Sequence, residues 1–323
     1  MPSPPKFHLH RSVLFVTLSI EEGLFLLPNP LCQAMVKSCL ARAQALHPAT
    51  ICHFIVESTH VHLIMVVDNP DDVPGFLGRF KTESAHMINR LLGRPKRTVW
   101  CDGYDSPVVL TPLRTLIAIA YLYANPAQDG LAESIKEYPG LSSWKMFRRG
   151  IHTRKWKHLR RPVFQHLPRD AQNFRGYSRE ASRVLKSSKS SHTFCLKPNA
   201  WMEVFGITDP DEQREINERL VTRIELLEKR ARITRRGRTP MGRERLLNQR
   251  LDKYYQPERT GQRSWCLSED RALCREFIAD MKARMELAAE VYQRWKMGDF
   301  SDPYPLGLYP PSMPKLAEPL EDW

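Results

Sequence analysis

The order in which hydrophobic patterns succeed one another over the first 110 residues constrains the fold most. Residues 12–20 (SVLFVTLSI) form a β-branched and aromatic run that predicts a strand. Residues 29–47 place Leu31, Met35, Val36, Cys39, Leu40 and Ala43 at helical spacing, behind an Asn29 cap and Pro30. Residues 51–57 and 60–67 are two short strands joined at Ser58–Thr59. Residues 71–92 predict a second helix, with Phe76, Phe80, Met87, Ile88 and Leu91 on one side. Residues 98–110 predict a strand or hairpin bent by Gly103 and Pro107. The order β-α-β-β-α-β is that of a ferredoxin-like α+β sandwich, an antiparallel sheet with helices on one face. A third helix is expected over 111–124, capped by Thr111 with Pro112 at its first position.

Composition narrows the function classes. The chain has 323 residues and a net charge of +13. Residues 1–150 carry 15 Lys+Arg and 12 Asp+Glu, whereas residues 151–323 carry 34 and 24. The excess in the second half points to an anionic partner, most often nucleic acid. The longest nearly uninterrupted apolar stretch, 116–124, has nine residues, about half of a membrane span. Residues 1–13 contain no apolar signal core, and the seven cysteines contain no CxxC pair. A cytoplasmic protein with free thiols, no membrane contact and no disulfide framework is expected. No GxxxxGK[ST] phosphate loop occurs, so a helicase-type ATP site is absent.

After Gly140 the pattern changes. Residues 145–161 (KMFRRGIHTRKWKHLRR) hold eight Lys/Arg and no acid, which fits a linker or a nucleic-acid-contacting arm. Residues 209–236 and 268–297 are helix-like, separated by the Gly/Pro-broken basic stretch 235–245. Six prolines follow Gly298 and predict an extended tail. The expected division is a first domain over 1–150, a basic linker or arm over 151–200, a helical DNA-binding extension over 201–297 and a Pro-rich tail over 298–323. Trp201, Trp265 and Trp295 are expected to be core or interface aromatics.

Two His-x-His pairs occur. His8 and His10 lie in a Pro-rich leader and are expected to be solvated. His60 and His62 open a strand, where residues two apart face one side, so both imidazoles are able to converge on one divalent cation. Tyr121 and Asn125 are four apart and share a helix face. A phenol attacks phosphate usefully only when a cation neutralises the phosphate, and an amide oxygen is a fair ligand for Mg2+ or Mn2+. Pro126 disfavours helix at Asn125, so the alternative reading is Tyr121 as a core aromatic and Asn125 as a helix cap, or as the cap of a second short helix that still leaves its side chain about one turn from Tyr121. Tyr123 competes as nucleophile, but it points roughly 200° further round the helix than Tyr121. Gln128 and Glu57 are weaker candidate ligands.

His60-Val61-His62 followed by LIMVV resembles the HUH motif of single-tyrosine transposases. Tyr121-Leu122-Tyr123-Ala124-Asn125-Pro126, with Gly130-Leu131 and Tyr138-Pro139-Gly140-x-Ser142-Ser143, resembles the nucleophile region of the REP-associated tyrosine transposases. Phe80-Lys81, Asn89-Arg90, Gly93-Arg94 and Val99-Trp100 fit the intervening elements, so the resemblance spans about residues 8–149. It departs from the pattern at Glu57-Ser58-Thr59, where Met-Pro-Asn is expected, and at Ala127-Gln128-Asp129, where Val-Arg-Ala is commoner.

The resemblance implies an HUH endonuclease core in which His60, His62 and Asn125 hold Mg2+ or Mn2+. Tyr121, favoured over Tyr123 by the alignment of the motif, would attack a single-strand DNA phosphate, forming a 5′-phosphotyrosine and releasing a 3′-OH. Substrates in the family are hairpin (REP-like) elements with a short guide sequence, which implies a bacterial, nucleoid-associated protein acting as a monomer or homodimer. Two basic clusters are expected to grip such a substrate: Arg148, Arg149, Arg154, Lys155, Trp156, Lys157, Arg160 and Arg161, and Arg235, Arg236 and Arg238. Two other readings are a domesticated, non-catalytic hairpin-binding protein and a rolling-circle-type nickase.

Overall fold

The computed structural model describes residues 6–21, 23, 28–251 and 264–314. Strand β1 (Val13–Ser19), helix α1 (Pro30–Leu46), strands β2 (Thr50–Val56) and β3 (His60–Val66), helix α2 (Asp72–Leu91) and strand β4 (Val108–Val109) follow the expected order. In the sheet they run β2-β3-β1-β4, each neighbouring pair antiparallel. That is the βαββαβ topology of a ferredoxin-like sandwich. Local chemistry sets the helix starts. Asn29 Oδ1 accepts from the Cys32 N–H in front of Pro30, and Thr111 Oγ1 accepts from the Arg114 N–H at the start of helix α3 (Pro112–Gln128).

The helices do not lie on one face, as the sequence order alone suggests. Leu14, Val16, Leu18, Val61, Leu63 and Met65 face α1 and α2 in one core. Val13, Ile55, Ile64 and Val66 face α3 in a second core. Strands β2 and β3 are therefore buried on both sides, which explains their continuous apolar runs. Beyond β2 the edge is extended by β5 (Leu141–Ser142), which leads into α4 (Trp144–Arg148). The stretch 98–110 gives only the two-residue β4 and two isolated bridges, Thr17↔Asp105 and Ile20↔Trp100.

The segment 151–200 is not a linker. Strands β6 (Thr153–Lys157) and β7 (Ser191–Cys195) pair as a hairpin around α5 (Phe174–Ser187), and this layer packs against α1. Ser38 Oγ accepts from the Leu159 N–H, and Gln44 exchanges two hydrogen bonds with the backbone of Cys195. Phe194, Leu196, Tyr177 and Val184 complete the first core. On the other face, α6 (Ala200–Val204), α7 (Pro210–Thr234) and α8 (Gly242–Leu247) deliver Trp201, Met202, Leu220, Ile224 and Leu246 to the second core. The buried carboxylate of Glu228 on α7 accepts from the Ile135 N–H, tying α7 to the loop after α3. Strand β8 (Cys266–Leu267) pairs in parallel with β4 and leads into α9 (Arg271–Lys296).

Residues 298–314 carry no helix or strand but fold back on the leader, where the His8 N–H donates to the Gly307 carbonyl. His8 is therefore fully buried, 3.0 Å from the Tyr309 hydroxyl, not solvated as expected, and burial pulls its pKa down to about 4. His10 is exposed. The remainder of the expected tail, 315–323, lies outside the described residues. Among the described residues no helix is long and apolar enough to cross a membrane.

Candidate active site

Strand parity turns His60 and His62 towards α3, on the side of Ile64 and Val66. Their rings sit 4.6 Å apart, centroid to centroid. His62 lies opposite Thr17 on β1, and Thr17 Oγ1 is 3.0 Å from His62 Nδ1. Phe15 stacks on the same ring at 5.1 Å. Thr17 and Phe15 together fix the His62 ring and leave its Nε2 for another partner. His60 Nε2 lies 3.2 Å from the Asn125 amide and 3.7 Å from a Glu57 carboxylate oxygen. Burial lowers the pKa of both imidazoles, that of His60 to about 4, so both are neutral at pH 7. A neutral imidazole is the ligating form.

Helix α3 brings the other groups. It does not stop at Asn125: it runs through Pro126 to Gln128, with the Asp129 N–H closing on the Asn125 carbonyl. A proline in the last turn removes one N–H, and the chain satisfies the end instead with the Leu131 and Ala132 N–H groups on the Pro126 carbonyl. Continuity of the helix sets Tyr121, Asn125 and Asp129 on one face at successive turns. Tyr121 is 40 % exposed, its ring 6.2 Å from that of His62 and 6.3 Å from that of Phe15. Asn125 is 2 % exposed.

Tyr123 points the other way and is fully buried. Its hydroxyl sits 2.8 Å from His53 Nδ1 and 2.7 Å from Ser143 Oγ. A bulge in β2 between Ile51 and His53 turns His53 towards it. Burial pushes the Tyr123 phenol far up, so of the two phenols only Tyr121 reaches solvent.

Two carboxylates complete the cluster. One ligand atom each from Glu57, His60 and Asp129 lies within 4.8 Å of the others. Glu57 is 1 % exposed, and neither of its carboxylate oxygens has a hydrogen-bond partner at ordinary distance. Burial, then the charge of Asp129, raises its pKa well above the carboxylate range. Burial raises Asp129 as well. Burial, then the charges of Asp129 and Glu57, raises the Tyr121 phenol. In the sequence Glu57 stands out as a weaker candidate ligand, and Asp129 only within a departure from the motif, not as a ligand. Its signal was the i+4 spacing from Asn125, hidden by the expected stop at Pro126.

An orphaned buried carboxylate beside neutral imidazoles and an amide is the donor chemistry of a hard or borderline divalent cation. The residues present therefore fit Mg2+ or Mn2+. Burial, and after it the charges of Asp129 and Glu57, holds the Tyr121 phenol in its protonated form, and a cation there would remove the charge part of that cause.

The basic clusters divide. Arg148, Arg149, Arg154, Lys155, Lys157, Arg160 and Arg161 are exposed, and Arg148 lies over the Trp144 ring at 5.7 Å. Trp156 is not a free stacking face, because it is half-buried against Phe194, centroids 4.5 Å apart and rings nearly parallel. Arg236 and Arg238 are exposed. Arg235 is not: its guanidinium donates to the Ala127 carbonyl at 2.6 Å and to the Glu133 carboxylate, clamping the end of α7 to the end of α3.

No protein-family model matches the sequence, and no curated protein matches it. Among solved structures the chain is similar to one described as "Structure of the REP associates tyrosine transposase bound to a REP hairpin". The identity is 17 % and the TM-score 0.40, over 47 % of this chain and 88 % of that one.

Proposed function

We propose that this protein is a metal-dependent endonuclease and strand transferase acting on single-stranded DNA beside hairpin elements, with Tyr121 as nucleophile. One observation carries the reading: a half-exposed phenol shares a helix face with Asn125 and Asp129 and borders the His60/His62 pair, next to a buried carboxylate that makes no hydrogen bond at ordinary distance. His60, His62 and Asn125, with Glu57 and Asp129, would hold Mg2+ or Mn2+. When bound, the ion supplies charge neutralisation at the scissile phosphate.

Tyr121 Oη attacks phosphorus from the open side of α3. The Oη–P bond forms, the P–O3′ bond breaks, the phenolic proton leaves to water, and water protonates the departing 3′ oxygen. The products are a 5′-phosphotyrosine and a strand ending in 3′-OH. Attack of a second 3′-OH on the same phosphorus reverses the step and joins new strands. Thr17 and Phe15 orient His62, and Tyr123 with His53 and Ser143 anchors the far side of α3. The exposed cations of both basic clusters, Arg235 excepted, would contact phosphates of the substrate.

The test is a denaturing gel for covalent adducts between the protein and labelled oligonucleotides that carry a stem-loop and unpaired flanks, with Mg2+ or Mn2+. Wild type is expected to give adducts that chelation abolishes, and Tyr121→Phe to give none while still binding the stem-loop. Adducts that persist in Tyr121→Phe would overturn the assignment. A wild type that binds but never forms adducts would leave a hairpin-binding protein.

A further inference from the structure

A groove of about 1000 Å³ opens on the face of the sheet away from Tyr121, between α2 and the residues that follow β6. Arg42, Arg79, Arg90, Arg94 and Lys96 line it from the ferredoxin-like core, and Arg160 and Arg161 from the 151–200 layer. Glu83 is the single acid among the lining residues, and Arg42 and Arg79 already neutralise it at 2.8 and 2.6 Å. Among the described residues Arg90, Lys96, Arg160 and Arg161 make no ion pair, and all four are exposed. Such a concentration of like charge is held together against its own repulsion and calls for a polyanion.

The lining also says which polyanion. Among the described residues no Phe, Tyr or Trp lines the groove; its aromatic rings are the imidazoles of His86, His158 and His192, the last two 3.2 Å apart and set against each other. Sites for unpaired nucleic acid combine cations with aromatic faces on which bases stack. A trough with seven Lys/Arg and no large aromatic face suits a duplex, whose bases are turned inward and whose phosphates are presented.

Position joins the groove to the candidate active site. Residue Ser19, at the end of β1, pairs with His60, and the next residue, Ile20, bridges to Trp100. Trp100 Nε1 donates to Ser84 on α2. The second half of α2, with Arg90 at its last turn, therefore returns to the end of the sheet where His60 stands. One ligand is able to lie along the groove and pass round that end of the sheet to Tyr121.

We infer that this groove holds the paired stem of the DNA substrate by its phosphates, while the unpaired flank crosses the end of the sheet to the opposite face. The inference rests on the reading of the protein as acting on hairpin DNA. It adds that core and extension build the stem site jointly, so that neither half carries it alone.

The test is fluorescence anisotropy of the full-length chain with two probes: a labelled stem-loop of arbitrary sequence and an oligo-dT of equal length. The variants are Arg90→Glu/Arg160→Glu and the milder Arg160→Gln/Arg161→Gln, with thermal melting to confirm the fold. The expected result is a stem-loop affinity at least tenfold weaker in the charge-reversal variant, and a loss for oligo-dT several-fold smaller. The slope of log K against log salt should become shallower by about 0.9 for each phosphate that the variant no longer neutralises. Unchanged stem-loop affinity and slope in folded variants, or equal losses for both probes, would overturn the inference. Adduct formation by the wild type is scored separately. Adducts with an insensitive stem-loop affinity sink the groove alone, whereas a sensitive affinity without adducts sinks the catalytic reading alone.

Discussion

Replacing Glu57 by Gln should raise the stability of the metal-free protein and halve the increment that a cation adds. In the metal-free protein both oxygens of this side chain are buried and make no hydrogen bond at ordinary distance, with His60, Asn125 and Asp129 beside them. A buried polar group left unsatisfied costs about 1–3 kcal/mol, more when charged. The folded state raises the Glu57 pKa above its ordinary value near 4.5. The protonated carboxyl is thus the one the fold prefers, and its contribution is lost as pH rises from that value through the raised one. Gln carries no such charge, so at pH 8 in EDTA the variant should be more stable by about 1–3 kcal/mol. At roughly 2 °C per kcal/mol for a chain of this size, Tm should rise by about 2–6 °C. The excess should vanish towards pH 4.5.

Mn2+ should narrow the variant's advantage by about 1.3 kcal/mol. At 100 times its Kd a cation binding only the folded state adds about 2.7 kcal/mol, roughly 5 °C. Loss of one ligand that weakens binding about tenfold leaves about 1.4 kcal/mol at the same Mn2+ concentration. Differential scanning fluorimetry from pH 4.5 to 8, with EDTA and with Mn2+, reads both effects. A variant less stable than wild type in EDTA, with an undiminished Mn2+ increment, would refute the idea that this carboxylate waits for a cation.

Two further outcomes follow from the helix that carries Tyr121. Tyr123→Phe removes the hydroxyl shared by His53 and Ser143 and should cost about 1–3 kcal/mol in a denaturant melt, while metal-dependent adducts persist. Arg235→Ala breaks the clamp between α7 and α3 and should lower stability by a similar amount without changing the salt slope of DNA binding, whereas Arg236→Ala/Arg238→Ala should flatten that slope at constant Tm.

Local chemistry made part of the structure readable from sequence. Asn29 and Pro30 mark the start of α1 to the residue, and alternation places β3 so that His60 and His62 share a face. Where partners are distant, the sequence pattern misleads. Residues 98–110 carry strand-like composition, but β4 pairs over only two residues, and one of its neighbours, β8, lies more than 150 positions along the chain. The 151–200 layer was hidden because Trp156 is the only apolar residue of β6, and its stacking partner Phe194 arrives from β7. Asp129 was missed for a different reason. Proline propensity argued for a break that the buried surroundings of Asn125 override, and the cluster depends on that override.

The pairing of β8 with β4 has a consequence for how this chain tolerates change. The second half of the gene is not a detachable accessory. It supplies a rib of the central sheet and one wall of each hydrophobic interior, so a stop codon near position 150 would uncover greasy surface on both flanks at once. Shortened versions should be sought among insoluble products, and recombination that swaps one half for a foreign one should rarely yield a folded molecule.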